Sequence, residues 1–295
     1  MTPIVETEHL SFSYGWDSNV LKDISFKVEP GSFHALLGRN GAGKSTLLKI
    51  LAGGLAPRMG ASRVLGVDSQ RLGVPEWRSI GFLSEAQPLY SGLTGGQILR
   101  FTRQFYPNWD EAFCNQLCRT MELPLDRKLG RYSKGERMKF LLLLAMSFHP
   151  RVLLLDEPFS GLDALAKEQL ISCLLEATGQ EQWAVLCASH DLAEVERLAD
   201  SVGVINHGEL ALNEPLESLQ ARHRRVQIFG AVPAGPDTAG LQAEIPGVGL
   251  AYVETAFSAA REAELRKRYG PRIEFSPMPL RDILLNVFTT REVKP

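Results

Sequence analysis

Gly38-Arg39-Asn40-Gly41-Ala42-Gly43-Lys44-Ser45-Thr46 is the stretch whose reading decides the fold. It has the pattern G-x-x-x-x-G-K-[ST], in which the glycines let backbone N–H groups turn inward around an anion. The pattern carries weight only between a strand and a helix. Residues 33–37, Phe-His-Ala-Leu-Leu, form a short buried run before it, and residues 45–51 follow with helix-forming side chains. A helix starting there adds the partial positive charge of its N-terminus to the cradle. Gly38, Asn40, Gly41, Ala42, Gly43 and Thr46 are therefore candidate phosphate-cradle residues. Lys44 is a candidate for the terminal phosphates, and the Ser45 hydroxyl for a magnesium ion.

Outward from this loop, the apolar runs 152–155, 183–188 and 201–205 alternate with helical patterns at 164–176 and 192–199. Unbroken apolar strands separated by helices predict a parallel sheet covered on both faces. The first thirty residues read as short strands, 4–10 and 24–28, ended by the turn Pro30-Gly31. Between 88 and 150 the texture becomes helical, with helices expected at 93–106, 109–121 and 135–149. After residue 220 it changes again, to strands at 226–229 and 250–253, a Gly/Pro/Ala-rich linker between them, and a charged helix at 256–269. The expected fold is thus α/β, with a parallel-sheet core and an N-terminal antiparallel β subdomain. An α-helical subdomain is inserted at about 88–150, and a small α+β appendage occupies 221–295 after a main domain of 1–220.

Bulk composition narrows the function classes. The 295 residues carry 34 acidic and 32 basic side chains, so no globally basic surface points to nucleic acid. Arg222-His223-Arg224-Arg225 is the one basic cluster, and it reads as a solvated linker face. The longest apolar run, residues 140–148, is about half of the ~20 residues a spanning helix needs. The chain is therefore expected not to cross a membrane by itself. The N-terminus shows no basic region followed by an apolar segment, and the expected compartment is the cytoplasm. Cys114 and Cys118 stand one helical turn apart without a second Cys or His pair, and read as packing thiols.

Three further positions carry chemistry. Asp156 ends the run 152–155, where a carboxylate can reach a magnesium shell, and Glu157 follows it. Neighbouring carboxylates at a strand end point differently, so one can serve the metal while the other polarises an attacking water. His190, in Ala-Ser-His-Asp, follows the run 183–188 at the end of a parallel strand, where open α/β sheets place their ligands.

With these landmarks in order, the chain resembles the ATP-binding subunits of ATP-binding cassette (ABC) transporters over about residues 1–215. The resemblance implies that the chain binds and hydrolyses ATP with Mg2+. It also implies that Tyr14, in Phe-Ser-Tyr-Gly, stacks on adenine. Ser133-Lys134-Gly135-Glu136 matches the family signature, which makes Ser133 and Gly135 ligands for the γ-phosphate held by a second subunit. Ser160-Gly161-Leu162-Asp163 matches the loop that crosses between subunits, adding Asp163 to the nucleotide set, and His190 matches the switch histidine. Glu157, His190 and Lys44 become the catalytic group, and Ser45, Asp156 and Glu85 the metal group.

Departures from the family pattern fall at two places. Glu85 stands in register where Gln is usual after the strand ending at Leu83, with Gln87 two residues on as an alternative. Lys134 replaces a glycine and Glu136 a glutamine in the signature, and a cation at Lys134 could help close the two-subunit sandwich. The wording Tyr132-Ser133-Lys134-Gly135 and Phe105-Tyr106-Pro107-Asn108-Trp109-Asp110 is similar to bacterial exporter subunits of the acetoin-utilisation and antibiotic-efflux type. The expected partners are a second ATPase subunit, identical or paralogous, and a separate transmembrane permease. The permease would hold the chain on the inner face of the membrane, and no nucleic-acid partner is expected.

Overall fold

The computed structural model describes residues 2–15, 19–180, 182–230, 244–245 and 249–292. The chain divides into two compact units, 1–213 and 214–295. The sequence-based boundary at 220 therefore falls inside a helix, Leu216–Arg222, that starts the second unit.

Two sheets build the first unit. The smaller is antiparallel, with β1 (Val5–Ser13) between β2 (Asn19–Val28) and β4 (Met59–Val64), and β5 (Val67–Asp68) beyond β4. The larger has six strands in the order β10 (Glu209–Pro215), β9 (Ser201–Asn206), β3 (Phe33–Leu37), β8 (Ala184–Ser189), β7 (Val152–Asp156) and β6 (Ile80–Ser84). Strands β9, β3, β8, β7 and β6 run parallel. Every residue of β3, β7 and β8 is buried, which is why their sequences read as continuous apolar runs rather than alternating ones.

Helix α1 (Lys44–Leu51) joins the two sheets into one core. Its Leu47, Leu48, Ile50 and Leu51 are fully buried and pack in one cluster with Leu10, Leu21 and Ile24 of the small sheet and Leu154 and Leu186 of the large one. Each such side chain contributes about 1.5–3 kcal/mol on burial. The start of α1, and with it the phosphate loop, is thereby fixed to both sheets.

The insertion between β6 and β7 is helical, as the sequence predicts, but its helices are shorter. Helix α3 (Gly95–Thr102) passes into a 3-10 turn at Arg103–Phe105. It starts at Thr94, whose Oγ1 accepts from Gln97 N at 3.2 Å while Gln97 Oε1 accepts from Thr94 N at 2.8 Å. Helix α4 (Glu111–Thr120) is capped by Asp110, and α5 (Lys134–Met146) by Ser133. Helix α2 (Val74–Trp77) is a single turn before β6. After β7 come α6 (Ala164–Gln180) and, after β8, α7 (Leu192–Leu198).

The second unit begins with α8 (Leu216–Arg222) and contains an antiparallel sheet. Its strands lie in the order β12 (Glu244–Ile245), β13 (Gly249–Glu254), β11 (Arg224–Ile228) and β14 (Ile273–Pro277). Helix α9 (Ala259–Tyr269) packs Leu265 and Tyr269 against Val226, Ile228, Tyr252 and Ile273. Its start at Ala259, capped by Ser258 Oγ on Arg261 N, is three residues inside the expected 256–269. Helix α10 (Leu280–Glu292) follows β14. Most of the Gly/Pro/Ala-rich linker, 231–243 and 246–248, lies outside the described residues. Among the described residues, no helix is long and apolar enough to cross a membrane.

Candidate functional site

The parallel register assembles the site. Leu37 pairs with Ser189, Ala188 with Asp156, and Asp156 with Ser84, so four strands end level with one another. The residues that follow, Gly38, His190, Glu157 and Glu85, consequently share one edge of the sheet. This is the carboxyl end of an open α/β sheet, where ligands bind.

The loop between β3 and α1 is shaped by glycine. Gly43 has φ +108°, and a Cβ there would lie 2.6 Å from Leu21 Cδ2, so only glycine fits both the backbone and the space. Gly41, at φ +80°, turns the exposed tip, and Ala42 N donates to Arg39 O at 3.1 Å. The Lys44 side chain is buried, and its Nζ donates to Gly38 O at 2.8 Å and lies 3.5 Å from Glu157 Oε1. The lysine thus crosses its own loop, with its ammonium at the carboxylate of the neighbouring strand end.

Behind the loop, Ser45 Oγ donates to Asp156 Oδ1 at 2.8 Å, and Ser84 Oγ donates to Oδ2 at 3.3 Å. Burial pushes the Asp156 carboxyl upward, and these two hydroxyl bonds oppose the shift. A cation beside it would restore the ionised form. One hydroxyl and one carboxylate are what magnesium takes from a protein when phosphates and water complete its octahedron. Residues Ser45 and Asp156 therefore fit the ion.

Glu157 turns away from Asp156. Its φ of +54° lies in the left-handed region, uncommon for a residue with a side chain and found preferentially at functional sites. Its N–H donates to Ala188 O at 2.9 Å, which ties the turn to β8. The carboxylate Oε2 meets His190 Nδ1 at 2.7 Å and accepts from His190 N at 3.3 Å. The Glu157–His190 pairing joins two residues the sequence had proposed separately.

Tyr14 lies beside the loop. Its ring stands edge-on to Phe12, with centroids 4.9 Å apart, and its hydroxyl is 3.2 Å from Thr46 Oγ1. Tyr14 is 61% exposed, which leaves it accessible to a ligand at the start of α1. Ser133 is the N-cap of α5: its Oγ accepts from Glu136 N at 3.1 Å, and Glu136 Oε2 accepts from Ser133 N at 2.7 Å. Glu136, the departure from the family's usual glutamine, completes a capping box and also meets Arg127. Gly135 lies in that same first turn. Asp163 Oδ1 accepts from Ala166 N at 2.8 Å and caps α6.

Glu85 is engaged elsewhere than expected. Its Oε1 is 2.6 Å from Lys134 Nζ, and this partner holds its carboxyl below the usual range. No hydrogen bond of the described residues takes it to Ser45 or Asp156. Gln87, the alternative, follows a turn closed by Gln87 N donating to Ser84 O at 2.9 Å, and its Oε1 is buried with no hydrogen-bond partner. An orphaned acceptor of that kind is costly unless something occupies it. The Lys134 contact was missed in the sequence; the only signal available was that Glu85 and Lys134 introduce opposite charges near one site.

Fold and site together define a nucleoside-triphosphate-binding α/β protein of the phosphate-loop class. The ABC transporter family matches residues 21–160. The bacitracin transport ATP-binding protein BcrA of Enterococcus faecalis is 28% identical over 231 residues, covering 78% of this chain and 75% of that protein. The sulfate/thiosulfate import ATP-binding protein CysA of Synechococcus elongatus is 32% identical over 211 residues, 70% of this chain and 61% of that one. A solved ATP-binding subunit of an ABC transporter superposes with TM-score 0.67 at 31% identity, covering 74% of this chain and 92% of its own. The chain belongs to the ABC transporter ATP-binding proteins and is an ATP-binding ATPase subunit of that family.

Proposed function

We propose that the chain works as one of two ATPase subunits, identical or paralogous, that close on ATP and drive a separate transmembrane permease. The observation that carries this reading is the level assembly of Lys44, Ser45, Asp156, Glu157 and His190 at one sheet edge, with Ser133 at a helix N-terminus on another part of the same unit. A phosphate loop with its carboxylates is half of an ATP site. The N-terminus of α5 is the other half, offered to a second copy.

The geometry supports the following roles. Gly38, Asn40, Gly41, Ala42, Gly43 and Thr46 wrap the phosphates, and Lys44 exchanges Gly38 O for a phosphate oxygen. Tyr14 stacks on the adenine. Ser45 and Asp156 would hold magnesium, which would neutralise charge at the phosphate oxygens; Gln87, whose Oε1 has no hydrogen-bond partner, would serve that ion, since Glu85 is engaged by Lys134. Glu157 accepts the proton of the water that attacks the γ-phosphorus. As the water oxygen bonds to phosphorus, the bond to the bridging oxygen breaks and ADP leaves. His190 holds Glu157 in its turned-out position and reaches the γ-phosphate. Ser133, Gly135 and Asp163 serve the nucleotide of the partner.

The permease is supported by the exposed aromatic residues of the helical insertion. Tyr90 is 74% exposed, and the exposed rings of Phe101 and Phe105 meet edge to face with centroids 5.1 Å apart. A membrane-side partner would hold the chain at the inner face of the cell membrane. Export as the direction rests on the sequence wording at Tyr132–Gly135 and Phe105–Asp110. Replacing Glu157 by Gln tests the catalytic assignment. Steady-state ATP hydrolysis is expected to fall by at least ~100-fold, and unaltered turnover would remove Glu157 from the base role.

A further inference from the structure

Two of the three departures from the family pattern, Glu85 and Lys134, meet in space. Lys134 Nζ lies 2.6 Å from Glu85 Oε1 and donates to Ser160 Oγ at 3.0 Å. Its aliphatic stem runs over Gly161: a Cβ at that glycine would fall 2.7 Å from Lys134 Cδ and 3.0 Å from Cε. Gly161 also has φ +73°. The lysine is therefore laid in a groove with its head fixed at two points, although half of the side chain remains exposed. Three segments meet on it: the turn after β6, the loop after β7, and the first turn of α5.

The charge at this edge gives the contact its meaning. Asp156, Glu157 and Glu85 leave level strand ends that also receive a polyanionic triphosphate. Lys44 is already matched to Glu157, at 3.5 Å, and Asp156 accepts from Ser45 and Ser84 where a magnesium ion would sit. Glu85, where the family's usual residue is neutral, adds one negative charge that neither offsets.

We propose that Lys134 is a positioning residue that neutralises Glu85 within the same chain and thereby keeps this acidic edge able to accept ATP. It rests on the ATP site described above but not on the pairing of two subunits. Its consequence is a specific pattern of compensation. Lys134→Ala leaves an unmatched carboxylate beside the phosphates. Removing that carboxylate as well, in Glu85→Gln/Lys134→Ala, removes the reason for the lysine.

The test is ATP binding with magnesium, measured by titration calorimetry on the full chain at a concentration where sedimentation shows a monomer. Lys134→Ala is expected to weaken binding about five- to tenfold, an effect that shrinks as ionic strength rises. Lys134→Arg keeps the charge and should bind within about twofold of wild type, and so should the double variant. Thermal melting of each variant shows whether it is folded, and the salt dependence separates a charge effect from a packing one. Wild-type affinity in Lys134→Ala overturns the inference, as does a double variant no better than Lys134→Ala. The latter result would mean that the lysine meets the nucleotide or supports the fold directly. Absence of ATP binding by the wild-type chain would instead overturn the ATP site itself.

Discussion

His34 gives the account a quantitative test in the core beneath the phosphate loop. It lies on β3, 1% exposed, with Nδ1 2.7 Å from Ser201 Oγ and its ring stacked on Phe26 at 5.4 Å between centroids. Nε2 is buried without a partner, so a protonated ring would leave an N–H with no acceptor. Burial accordingly lowers its pKa from 6.5 to about 4. The unfolded chain binds this proton below about pH 6.5, whereas the folded chain refuses it until about pH 4. Stability from this group is therefore complete above the unfolded value and is lost as pH falls through the window between the two. From pH 7 to pH 5 the loss is about 2 kcal/mol. The four tryptophans all belong to the first unit, so tryptophan fluorescence in a urea titration reads that unit alone. Comparing wild type with His34→Phe at both pH values cancels the carboxylates common to the two proteins. The wild type is expected to lose about 2 kcal/mol more than the variant between pH 7 and 5. An equal loss in both would show that His34 accepts its proton in the fold, and would refute the reasoning.

Two further outcomes concern the site and its partner. His190→Ala removes the group that meets Glu157 Oε2 at 2.7 Å; kcat for ATP hydrolysis should fall about 100-fold while ATP affinity changes by less than about threefold. A primary loss of affinity would make His190 a ground-state ligand instead. A multispanning permease, reconstituted with the chain in vesicles, should raise its ATPase rate, and Phe101→Ser/Phe105→Ser should abolish that stimulation. Stimulation by ribosomes or nucleic acid without any by a permease would contradict the transport reading.

What could be read from the sequence was what local chemistry dictates. The phosphate loop combines glycine, lysine and hydroxyl at fixed spacing, and fully buried parallel strands leave unbroken apolar runs. The strand β4 was not legible: Met59-Gly60-Ala61-Ser62-Arg63-Val64 buries only Ser62 and Val64, so neither periodicity nor an apolar run marks it. Strand β14 and helix α10 were missed for a related reason. Five residues with mixed burial and a helix carrying Arg, Asp and Glu resemble ordinary surface chain until the sheet they complete is known. At the site, Asp156, Glu157 and His190 were each identified from strand ends. That Glu157 bonds His190 depends on β7 lying beside β8, a fact of register rather than of composition. The Lys134–Glu85 contact is less legible still, since it needs the inserted helix α5 brought against the turn after β6.

The central claim is that the phosphate loop at Gly38–Thr46 is half a site, completed by Ser133 of a second copy. Sedimentation of Glu157→Gln with and without ATP and magnesium tests it most directly. The account predicts a monomer without nucleotide and a dimer with ATP that reverts when Ser133→Arg is added in the same chain. A Glu157→Gln chain that binds ATP and stays monomeric, in the absence of a paralogous subunit and in its presence, would contradict it.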